Sequence, residues 1–65
     1  MSIQELARHY LSQRKTVRAA ALMMKLIDTE PTPENLTLLA DIYMQQGLFD
    51  DAKELYLRVV KAGLK

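Results

Sequence analysis

Residues 36–56 read LTLLADIYMQQGLFDDAKELY, and this stretch decides the fold. Leu36, Leu39, Ala40, Tyr43 and Met44 recur at the spacing of one helix face. Gly47 then stands where a helix closes on a left-handed residue. After Leu48 and Phe49, Asp50 is suited to cap a new helix and Asp51 to complement its dipole. Ala52, Leu55, Tyr56, Val59 and Val60 renew the apolar stripe as far as Gly63. Two amphipathic helices joined by so short a turn predict an antiparallel hairpin.

Working toward the N-terminus, Thr32 followed by Pro33 is a cap with proline at the first helical position. Pro31 and Pro33 each push the preceding residue out of the helical region, so 30–33 is predicted as the loop between two halves. Upstream, Thr16 is expected to cap a helix that buries Ala19, Ala20, Leu22, Met23, Leu26 and Ile27 and stops near Asp28 or Thr29. Arg14 and Lys15 make a polar corner before it. The first helix is predicted from a Ser2-x-x-Glu5 capping box, through Ile3, Leu6, Ala7, Tyr10 and Leu11, to about Gln13. The chain is therefore predicted to be all-α, with four helices.

Sliding the sequence against itself by 33 residues aligns six identical pairs: Leu6/Leu39, Ala7/Ala40, Tyr10/Tyr43, Gln13/Gln46, Ala19/Ala52 and Leu22/Leu55. Chance at ordinary residue frequencies gives about two. Ile3/Leu36, Leu11/Met44, Met24/Leu57, Lys25/Arg58, Leu26/Val59 and Ile27/Val60 are conservative pairs between them. One helix hairpin is written twice, with repeat 1 at about 2–31 and repeat 2 at about 33–65 in a single domain, 1–65.

The second half, with Leu36, Leu39, Ala40, Tyr43, Gly47, Phe49, Ala52 and Tyr56, resembles the tetratricopeptide repeats. The first half matches at Ile3, Leu6, Ala7, Tyr10, Ala19 and Met23. It departs at Arg14, where the pattern has Gly, and at Thr16, where it has an aromatic. Leu36 replaces the usual first-position Trp, and Pro31 matches the terminal Pro. The resemblance implies two antiparallel helix hairpins stacked as a short solenoid. Ala7, Ala40, Ala19 and Ala52 then let helix backbones approach closely, and Tyr10, Tyr43 and Tyr56 fill the wider gaps.

The resemblance also implies a non-catalytic module that binds a partner protein or peptide on its concave face, for assembly or chaperoning. Carried over position by position, that face comprises Gln4, Arg8, Leu11, Ser12, Thr37, Asp41, Met44 and Gln45. The family's carboxylate-clamping subset uses Lys and Asn where this chain has Gln4, Leu38 and Asp41, so a receptor for charged tails is disfavoured. A short amphipathic helix or extended peptide suits the mixed lining better.

Composition narrows the function classes. A chain of 65 residues leaves room for one small core. With no Cys and the single His9, no disulfide and no Cys/His zinc site can form within one chain, and no metal or other cofactor is expected. The formal charge of +1 is too weak a field to gather nucleic acid or anionic membrane by itself. The longest apolar run, Ala19 to Ile27, is interrupted by Lys25 and falls short of the about 20 residues a membrane-spanning helix needs. Glu5, Arg8 and His9 break any apolar signal region, so a cytoplasmic location is expected.

No phosphate loop, H-E-x-x-H, EF-hand or nucleophile elbow is present, and the chain is not expected to be an enzyme. Glu5 and His9 stand four apart on one helix, a pairing common on helix surfaces, with no second catalytic group beside it. Arg14, Lys15 and Arg18, flanked by Arg8 and His9, form a basic corner that invites a nucleic-acid reading. Between Arg14 and Arg18 no aromatic is interleaved with the cations to stack on a base. Asp50, Asp51 and Glu54 make an acidic corner in the second half. The alternative within binding is a self-assembling scaffold. Stacked hairpins bury a continuous core only between neighbours, so two repeats without a capping helix are expected to associate through Met23, Met24, Ile27, Leu57, Val60 and Leu64.

Overall fold

The computed structural model describes residues 1–63. Its four helices are α1 (Ile3–Ser12), α2 (Thr16–Thr29), α3 (Pro33–Gln46) and α4 (Phe49–Gly63). They form two antiparallel hairpins, α1 with α2 and α3 with α4, stacked through contact of α2 with α3. The short axis of 15 Å, against 35 and 26 Å, fits a slab two helix layers thick.

The register of 33 residues reappears as physical equivalence. Ala7, Ala40, Ala19 and Ala52 are all completely buried. Both interhelical turns close in the same way. Lys15 N–H donates to the Tyr10 carbonyl at 2.8 Å and Arg14 N–H to that of Leu11 at 3.0 Å. Leu48 N–H donates to Tyr43 at 2.9 Å and Gly47 N–H to Met44 at 3.1 Å. This is the Schellman closure, and it needs a left-handed residue at its centre. Gly47 takes that conformation with φ 78°, and Arg14, at the equivalent place, takes it with φ 61°. The departure of Arg14 from the repeat pattern therefore leaves the turn unchanged.

Closure this tight returns each chain to helix earlier than the side chains predict. Thr16 is the first residue of α2, after Lys15, which makes no side-chain cap. Likewise α4 begins at Phe49, and Asp50 lies in its first turn. The caps at the other two helices are formed as expected: the Ser2 hydroxyl accepts from Glu5 N–H at 3.1 Å and the Thr32 hydroxyl from Asn35 N–H at 3.2 Å. The Glu5 carboxylate, however, accepts from the Ser2 hydroxyl at 3.2 Å, where a full capping box would bond the Ser2 amide.

Burial departs from the sequence reading at several positions. On α3, Leu38, Ile42 and Asn35 are buried with Leu36, Leu39 and Ala40, whereas Met44 is 44% exposed. The reason is position: α3 packs against both α4 and α2, so more than one of its faces is interior. Ile3 and Val60, expected inside, are exposed at the outer helices. Met23, expected both on the buried face of α2 and on a self-association surface, is 0% exposed and belongs to the core alone. Ile27 is half-buried against that core. Leu64 lies outside the described residues.

Candidate functional site

Helices α1 and α3 share one side of the stack, joined by the Gln4–Asn35 hydrogen bond, and a discontinuous groove runs between them. One depression, of about 310 Å³, is lined by Arg8, Pro33, Glu34, Thr37, Leu38 and Asp41. A second, of about 640 Å³, is lined by Leu11, Ser12, Arg14, Thr16 and Gln45. Six of the eight concave positions expected from sequence thus come together: Arg8, Thr37 and Asp41 in the first depression, Leu11, Ser12 and Gln45 in the second. Arg8 and Asp41 occupy the same place in successive repeats with opposite charge. The groove accordingly has a cationic wall on α1, with Arg8, and an anionic one on α3, with Glu34 and Asp41.

The other two positions differ. Gln4 is half-buried and its side-chain amide donates to Asn35 Oδ1, which turns it toward structure. Met44 lines neither depression. Leu11, read from sequence both in the apolar stripe of α1 and on the concave face, packs partly against the core.

Asn35 is a residue that sequence reading missed. It is buried, and its Nδ2 donates to the Glu30 carbonyl at 2.8 Å while its Oδ1 accepts from Gln4. One amide therefore ties the interhairpin loop and the start of α1 to α3. Among the described residues every buried side-chain nitrogen and oxygen has a partner. The available signal was an amide at the third position of a helix otherwise apolar on that side.

Asp41 is partly committed as well, since Tyr56 donates its hydroxyl to Asp41 Oδ1 at 2.5 Å. That bond holds the Tyr56 phenol above its ordinary pKa, with burial and the Asp41 charge acting in the same direction. Tyr43 is raised too, by burial first and by the Asp51 charge second. The three tyrosines are half-buried, as gap-filling residues are.

At the basic corner, Tyr10 corrects the expectation that the cations have no aromatic nearby. The Arg18 guanidinium carbon lies 6.0 Å from its ring centroid, at the reach of a cation–π contact. Helix periodicity and the closed turn bring together residues eight apart in sequence.

On the opposite face of α3, α2 and α4 are separated by a cleft of about 480 Å³. Met24 and Ile27 border it from α2, Leu39 and Tyr43 form its floor, and Glu54 and Arg58 border it from α4. Among the described residues no group of three or more His, Cys, Asp or Glu is placed to hold a metal ion. No helix among them is long and apolar enough to cross a membrane.

Paired hairpins with equivalent turns, small residues at the crossings and a groove on the first-helix side define a helical repeat of the interaction-module class. The tetratricopeptide repeat family model matches residues 10–65, and the chain belongs to that family. Neither the curated proteins nor the solved structures include a match to it. Tetratricopeptide repeats are typically non-catalytic and mediate protein–protein interaction.

Proposed function

We propose that the chain holds a segment of a partner protein in the α1/α3 groove, for assembly or chaperoning. The observation that carries this reading is the convergence of Arg8, Leu11, Ser12, Thr37, Asp41 and Gln45 on two neighbouring depressions between the same two helices. Walls of opposite charge flanking uncharged residues suit a short amphipathic helix or extended peptide of low net charge.

The test is capture of partners from native cells, identified by mass spectrometry, with three baits. The wild-type chain and a Val17→Glu control, altered at an exposed residue outside the groove, should retain the same specific partner. An Arg8→Glu/Gln45→Lys bait with unchanged circular dichroism should lose it. Retention by the groove variant rejects the reading.

A further inference from the structure

One stripe of α4, on the side that borders the α2/α4 cleft, carries a pattern that the hairpin core does not use. Positions 51, 54, 58 and 61 form one stripe along the helix and read Asp51, Glu54, Arg58 and Lys61, all exposed. Leu57, 46% exposed, lies at the edge of this stripe, whereas Val60, 53% exposed, points to the other side of the helix. Asp51, Glu54 and Arg58 also border the α2/α4 cleft, across which stand Lys25, Asp28 and Met24, the last 51% exposed. The charges run acid, acid, base, base, and they are symmetric about Tyr56. Glu54 and Arg58 lie equally far on either side of it, as do Asp51 and Lys61.

We propose that α4 is the contact of a symmetric dimer, in which a second copy lays its own α4 antiparallel along this face with residue 56 of each copy near the twofold axis. Antiparallel apposition in that register sets Glu54 opposite Arg58 of the second copy and Asp51 opposite Lys61. Symmetry repeats both pairs, so one helix supplies four complementary contacts. Parallel apposition would set like charge on like, which selects against it. The helix dipoles also favour the antiparallel arrangement. Leu57 leaves water at the edge of the same contact, and Met24 borders it on the cleft side. End-to-end stacking is poorly served by comparison: Leu38 and Ile42, buried on α3, recur on α1 as Glu5 and His9, which are exposed. This inference stands apart from the α1/α3 groove and uses none of its residues.

The experiment is sedimentation equilibrium of the whole chain from micromolar to millimolar concentration, with circular dichroism of each variant. The wild type is expected to form a dimer that weakens with added salt. Glu54→Arg and Arg58→Glu, each bringing like charges together twice, are expected to raise the dissociation constant by about tenfold or more. The double variant Glu54→Arg/Arg58→Glu restores the complementary ladder and should recover dimerisation. The exchange Asp51→Lys/Lys61→Asp, with its two single variants, is an independent repeat should Glu54→Arg lower helix content. A monomeric mass at all concentrations overturns the proposal. So does a dimer indifferent to the single reversals or not rescued by either exchange, and so does one disrupted by Glu5→Lys instead, which would place the contact at the end of the stack.

Discussion

Arg14 is the residue at which local backbone preference and the demand of the fold are most plainly opposed. It sits at φ 61° on the surface, in the turn that Gly47 closes at φ 78° in the second repeat. A left-handed conformation costs a residue with a Cβ about 1–2 kcal/mol. Replacing it by glycine removes that cost and returns about 0.4–1 kcal/mol of unfolded-state entropy, so Arg14→Gly should stabilise by about 0.5–1 kcal/mol. For a domain of this size the melting temperature should rise by about 2–8 °C. The reciprocal change, Gly47→Ala, isolates the same quantity, because a Cβ there meets nothing within 4 Å and only the backbone conformation resists it. It should destabilise by a similar amount, and Arg14→Gly/Gly47→Ala should return close to wild type, since the two turns are separate. Urea titration reads all three as shifts of the midpoint at constant slope. An Arg14→Gly variant that melts at or below the wild type would refute the reasoning.

Asn35→Ala leaves the Glu30 carbonyl and the Gln4 amide without their buried partner and should destabilise by about 1–3 kcal/mol, measured by the same titration. Equal stability would show that the loop does not depend on this amide. Tyr56 gives a pH signature: its pKa is raised in the folded state, so the stabilisation is fully present below the ordinary value of 10.0 and is lost as pH rises beyond it. Tyr56→Phe should therefore be less stable than wild type at neutral pH by no more than about 1 kcal/mol, the group being near solvent, with the gap closing in alkali. Phenolate absorbance of folded wild type and variant checks the assignment.

What was legible in the sequence depended on local causes. Helix number, the Thr32-Pro33 start, the Gly47 stop and the 33-residue register follow from proline geometry, glycine freedom and apolar periodicity, all carried within a few residues. The eight positions named through the repeat register share no local signal, and six of them line the two depressions beside α1 and α3. The starts of α2 and α4 were misplaced because a six-residue backbone closure, not a side-chain cap, sets them. Met23 and Val60, each read both as inward-facing and as a self-association residue, end in different places for another reason: Met23 is buried and Val60 is exposed. Both are apolar and both continue a helical stripe, but α2 has hairpin contacts on one side and α3 on another, while α4 is an outer helix. Periodicity identifies a helix's apolar face; how many neighbours that helix has is decided by stacking. The same holds for Asn35, whose partner Gln4 is brought to it by the second hairpin docking on the first, whereas the left-handed turn at Arg14 is held by local hydrogen bonds to Tyr10 and Leu11. The sequence by itself thus determined a hairpin written twice, and the docking of the two hairpins decided which residues became core, which groove formed and which helix face was left to solvent.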